Sequence, residues 1–104
     1  MSLLLFAENN FSGECTLREA AKNAGYDYVY TSKTFKARLG IPFKKYVNML
    51  RIHKATELLH MTKKSMYQIA CECGFGCFRS FNREFLNIVG VSPSLYRKTH
   101  MGKD

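Results

Sequence analysis

Arg79, Asn82 and Arg83 stand within one five-residue stretch. On an α-helix, residues three and four apart share a side, so these three would face the same way. Arginine carries a planar fork that grips guanine O6 and N7 with two hydrogen bonds, and asparagine can grip adenine N6 and N7 in the same manner. Val29, Ser32 and Lys33 stand fifty positions before Arg79, Asn82 and Arg83, and Lys36 stands fifty before Leu86. Two such sets at one helical spacing suit the edges of bases in a duplex groove.

The elements that must hold these side chains recur with them. Thr16-x-x-Glu19 returns as Ser65-x-x-Gln68, and Ala21 and Gly25 return as Ala70 and Gly74, each 49 residues on. Phe35, Gly40 and Tyr46 return as Phe85, Gly90 and Tyr96, now 50 residues on, so the second copy has one extra residue between its turn glycine and its aromatic anchor. A solenoid needs three copies or more; two copies predict a pair of small units.

Each copy reads as two helices around a tight turn. Thr16 and Ser65 open capping boxes, in which the hydroxyl accepts from the third backbone N–H and the Glu or Gln side chain reaches back. Leu17, Ala20, Ala21 and Ala24 form one apolar face; in the second copy Tyr67, Ile69, Ala70 and Cys73 are expected to pack inward. Small Ala21 and Ala70 suit a close helix crossing, and Gly25 and Gly74 supply a left-handed turn residue. The following helices are expected from about Tyr28 to Leu39 and from about Phe78 to Val89. Thr31, Phe35 and Leu39 would bury one face of the first, and Phe81, Phe85 and Ile88 one face of the second.

Between the copies, Pro42 marks the start of a long helix carrying Phe43, Tyr46, Val47, Leu50, Ala55, Leu58 and Leu59, with Met49 and Ile52 on another side. An apolar girdle that wide predicts contact with material on more than one side. A short helix around Leu3–Glu8 and a last one from Ser92-Pro93-Ser94 complete an all-α expectation of about seven helices. The aromatic residues Phe35, Tyr46, Phe81, Phe85 and Tyr96 read as core, not as stacking platforms.

Net charge is +8, and residues 33–64 hold nine basic side chains against the single Glu57. The rest of the chain is balanced, so the whole excess lies in the middle. Such a field attracts polyanions, nucleic acid first and anionic membrane second. Lys36, Lys44, Lys45, Lys63 and Lys64 are phosphate-contact candidates, and Arg51 and Glu57 a candidate structural pair. No apolar run approaches the roughly 20 residues of a membrane span, so no membrane partner is expected and the cytoplasm is the expected location.

Cys71-x-Cys73-x-x-x-Cys77 is the main rival for chemistry, as a thiol-based metal or redox sensor with His53 or His60 as a further ligand. The spacing is not C-x-x-C, and Cys71 and Cys73 would point about 200° apart on a helix. Small buried hydrophobes are the expected role. His53, His60 and His100 lack a carboxylate and nucleophile around them, and no Gly-rich phosphate loop follows a strand, so neither an enzyme nor a cofactor is expected.

The ordered run Ile69-Ala70-Cys71-Glu72-Cys73-Gly74-Phe75, Phe81-Asn82-Arg83-Glu84-Phe85 and Gly90-Val91-Ser92-Pro93-Ser94-Leu95-Tyr96-Arg97 resembles the signature region of AraC/XylS-type transcription regulators. Phe35-Lys36, Gly40, Tyr46 and Arg51-x-x-x-Ala55-x-x-Leu58-Leu59 fit as well, so the likeness covers roughly residues 13–99. Thr31, Leu86 and Gly76-Cys77-Phe78 depart from the family pattern. The resemblance implies two helix-turn-helix subdomains, about 13–42 and 65–99, joined by a linker helix over 43–60. It implies double-stranded DNA as partner, read in successive major grooves by Val29, Ser32 and Lys33 and by Phe78, Arg79, Asn82 and Arg83. It also implies a sensing or dimerising domain; nothing before Thr16 is long enough to be one, and a C-terminal part of a longer bacterial regulator is expected.

Overall fold

A computed structural model describes residues 3–13 and 15–101 of the chain. It holds seven helices: α1 (Leu3–Asn10), α2 (Leu17–Ala24), α3 (Tyr28–Leu39), α4 (Phe43–Met61), α5 (Met66–Glu72), α6 (Phe78–Val89) and α7 (Pro93–Met101). Among the described residues there is no strand. The side chain of His100 lies outside the described ones. The chain divides into two compact units, Met1–Leu50 and Arg51–Asp104, and the boundary falls inside α4.

In the first unit the Thr16 hydroxyl accepts from the Glu19 N–H at 3.2 Å and starts α2. The helix ends at Gly25 with φ of 77°, and two hydrogen bonds close the turn: Gly25 N–H to Lys22 O and Tyr26 N–H to Ala21 O. This is a Schellman closure, which satisfies carbonyls the helix leaves open. Asp27 then caps α3 by accepting from the Tyr30 N–H. The core gathers Phe6, Ala7, Ala20, Phe35, Phe43 and Val47. Buried Thr31, at the heart of α3, is satisfied because its hydroxyl donates to Asp27 O at 2.7 Å. Leu39, expected on the buried face, is 42% exposed, since it ends α3 beside Gly40.

The second unit repeats the construction. Ser65 and Gln68 form the full reciprocal capping box of α5. The turn closes through Gly74 N–H to Cys71 O and Phe75 N–H to Ala70 O, the same pair of bonds 49 residues on, with Gly74 at φ of 102°. Its core holds Ile52, Ala55, Leu59, Ile69, Ala70, Cys73, Phe75, Phe81 and Phe85. Tyr67, expected to pack inward, is 69% exposed; its ring stacks on Phe78 instead. The girdle of α4 has its reason here: Phe43 and Val47 serve the first core, and Ile52, Ala55 and Leu59 the second.

Arg97 on α7 finishes the second unit. Its Nε donates to Leu59 O, one Nη to Lys64 O and the other to Thr62 O, at 2.7–3.2 Å. A cation thus caps the end of α4 and the loop after it, where helix carbonyls lack partners and the helix dipole is negative. The Arg51 guanidinium lies over the Phe75 ring, and Glu57 meets His53 at 3.7 Å. Arg97→Met keeps most of the stem and removes all three hydrogen bonds. It is expected to lower the unfolding free energy by about 2–3 kcal/mol in urea denaturation; an unchanged midpoint would show that water serves those carbonyls equally well.

Candidate nucleic-acid interface

Helix α3 turns Thr31 and Phe35 inward, which sets what the other side shows. Val29 is 55% exposed, Ser32 half-buried, and Lys33 and Lys36 exposed. An exposed valine beside a serine and two lysines is a poor solvent face but a sound groove face: the valine can meet a thymine methyl, the polar groups base edges or phosphates.

Helix α6 is more sharply divided. Phe81 and Phe85 are wholly buried and in contact with one another, with Phe85 packed edge-on against Tyr96. Opposite them Arg79 and Arg83 are exposed and Asn82 is half-buried. The Arg83 Nε lies 3.7 Å from the Glu84 carboxylate, which leaves its two terminal nitrogens for a bidentate partner. Leu86, at the far end of this face, is 52% exposed. Phe78 is half-buried, stacked on Tyr67 and touching Phe81. The structure therefore gathers Arg79, Asn82 and Arg83 on one α6 face with Phe78 at its start, and Val29, Ser32 and Lys33 on one α3 face.

Comparison with known proteins fits this geometry. A family model described as a helix-turn-helix domain matches residues 20–99. The Transposon Tn10 TetD protein of Escherichia coli is 34% identical over 99 residues, 95% of this chain and 72% of that protein. The HTH-type transcriptional activator AarP of Providencia stuartii is 30% identical over 100 residues, 96% of this chain and 74% of that one. Among solved structures, the C-terminal domain of AraT, a response regulator from Geobacillus stearothermophilus, superposes with a TM-score of 0.90 at 33% identity, covering 95% of this chain and 83% of its own. The chain belongs to the AraC/XylS family of transcription regulators. It is an AraC-type helix-turn-helix DNA-binding domain, with two helix-turn-helix subdomains joined by a long linker helix.

The lysines of this AraC-type domain are not equivalent. Lys36, Lys44 and Lys63 are exposed and Lys45 is half-buried. Lys64 is tied to Glu72 by a 2.8 Å ion pair that a phosphate would have to compete with. No helix is long and apolar enough to cross a membrane among the described residues. The contacts of Arg18, Tyr67 and Arg97 are not foreseen from the sequence. Helical spacing alone shows none of them, because each meets a ring or a carbonyl on another element.

The cysteines part company as the helical angle predicts: Cys73 is buried, while Cys71 and Cys77 are exposed. The expectation of buried small hydrophobes thus holds for Cys73 and fails for the other two. No group of three or more His, Cys, Asp or Glu could hold a metal among the described residues. Burial pushes the Cys73 thiol up to about 12. Cys77 is the N-cap of α6 without a side-chain capping hydrogen bond, and the nearby N–H groups of Ser80, then Arg79, favour its thiolate and lower its pKa. In the native protein, iodoacetamide is expected to label Cys77 with a rate that falls as pH drops and the thiolate is lost. Cys73 should stay protected until the protein unfolds. Mass spectrometry of peptides from a pH series reads both, and native labelling of Cys73 would contradict the packing described.

Proposed function

We propose that this domain binds double-stranded DNA by sequence, as the DNA-binding part of a bacterial transcription regulator, with α3 and α6 entering successive stretches of major groove. The observation that carries this reading is the divided face of α6. Arg79, Asn82 and Arg83 point out from a helix whose other side is fixed by fully buried Phe81 and Phe85. Held that way, a side chain spends little conformational freedom on meeting a base. Val29, Ser32 and Lys33 take the corresponding role on α3, and Phe78 adds an apolar contact on α6. Lys36, Lys44, Lys45, Lys63 and Lys64 hold phosphates and set register; Lys64 does so only by yielding its bond to Glu72.

The functional subdomains are residues 13–42 and 65–99 with 43–60 as linker. The copies run in the same direction along the chain, so the site they read is a direct arrangement without a two-fold palindrome. Its halves lie about 34 Å apart, one helical turn. The domain works without catalysis or a cofactor, in the cytoplasm where its DNA lies, away from membranes. A sensing or dimerising domain governs it; the similar AraT structure is the C-terminal domain of a response regulator, which supports that arrangement.

Selection of bound duplexes from a random pool tests the reading; recovery of no consensus would end it. On the selected duplex, Arg83→Ala is expected to cost about 1–3 kcal/mol and to equalise the bases at one position. An equal loss on random DNA would assign Arg83 to a phosphate. Lys45→Ala is expected to weaken all duplexes alike and to shallow the slope of log K against log salt by about one. Unchanged salt dependence would remove Lys45 from the footprint.

A further inference from the structure

Both units carry the same covering contact at the start of their second helix. In the first, the Arg18 guanidinium of α2 lies 4.6 Å above the centroid of the Tyr28 ring, the first residue of α3. In the second, the Tyr67 ring of α5 stacks on Phe78, the first residue of α6, with centroids 4.1 Å apart and planes 20° from parallel. Arg18 and Tyr67 are 49 residues apart, Tyr28 and Phe78 are 50 apart, the offsets of the repeat itself. Tyr67 is the most exposed aromatic of the second unit, at 69%. At that exposure its one ring contact among the described residues is the stack on Phe78.

We propose that Tyr67 is a positioning residue for DNA reading, holding Phe78 as an apolar shelf that recognises the C5 methyl group of a thymine at the α6 end of the site. This rests on the DNA-reading assignment above and adds what one part of the site reads. Phe78 also touches Phe81, which is fully buried, so one neighbour ties its ring to the core and Tyr67 covers it from α5. The ring keeps its place at the first turn of α6, near Arg79, Asn82 and Arg83. Phenylalanine offers no hydrogen bond, and the one base-edge feature of the major groove that rewards an apolar surface is the thymine methyl. In the first unit the cover is a cation, so the equivalent shelf there carries charge and is not a methyl reader.

The test uses the full chain and the duplex it selects, with each thymine replaced in turn by deoxyuridine, which lacks only that methyl. One position in the half-site assigned to α6 by Arg83→Ala should lose about fourfold in affinity, the worth of one buried methyl-sized group. Phe78→Ala and Tyr67→Ala should each bring the thymine-to-deoxyuridine ratio at that position towards one. Tyr67→Phe, which keeps the ring, should preserve it. Urea midpoints for the Tyr67 variants near that of the parent would exclude unfolding as the cause. An undiminished ratio in Tyr67→Ala, or no deoxyuridine-sensitive thymine in that half-site, overturns the proposal while leaving DNA reading intact. A parent chain that prefers no duplex at all overturns both.

Discussion

Between the first and second helix of each unit the backbone must pass through left-handed space at one residue, and the placement of everything after it depends on that residue being glycine. Gly25 and Gly74 have φ of 77° and 102°, which a side chain with a Cβ adopts only at a cost. The two hydrogen bonds of each closure fix where the helix stops. A drift of one residue at that point would rotate the next helix by about 100° and carry its outward face towards the core. The extra residue of the second copy shows how strictly this is kept. It lies in the turn, between Gly74 and Phe78, and α3 and α6 each remain 12 residues long.

Below the turns sit the two cores, and α4 is common to both. A helix serving one core needs a single apolar stripe; α4 carries Phe43 and Val47 for one cluster and Ile52, Ala55 and Leu59 for the other. Its C-terminus is then held by Arg97, a residue from the last helix. Of the nine basic side chains of residues 33–64, Lys44, Lys45, Arg51 and Lys54 lie on this helix, Lys63 and Lys64 in the loop after it, and Lys33, Lys36 and Arg38 on α3.

What could be read from the chain and what could not divide along a physical line. Features set by neighbours in sequence were legible: the Thr16 and Ser65 caps, the turn glycines, small Ala21 and Ala70 at the buried crossing, and the inward Phe81 and Phe85. The outward set on α6 followed, because burying one side of a helix decides the other. Features set by partners far along the chain were not legible. Tyr67 sits at the margin of the apolar arc of α5, and only the arrival of Phe78 explains its outward stack. Arg97 belongs to the family-like run at the end of the chain, yet its partners lie 33 to 38 residues away. Period alone places Leu39 on the buried face, but a helix end beside a glycine has little to pack against.

The central claim is that two helix pairs, linked through one helix, read adjoining parts of a single duplex. Insertion of five base pairs between the two halves of the selected site tests it most directly, since it turns one half to the opposite side of the DNA, about half of a 10–10.5 bp turn. Measured by titration at fixed salt, the inserted duplex should fall to the affinity of a site with one half scrambled. Binding as tight as to the original spacing would contradict the account.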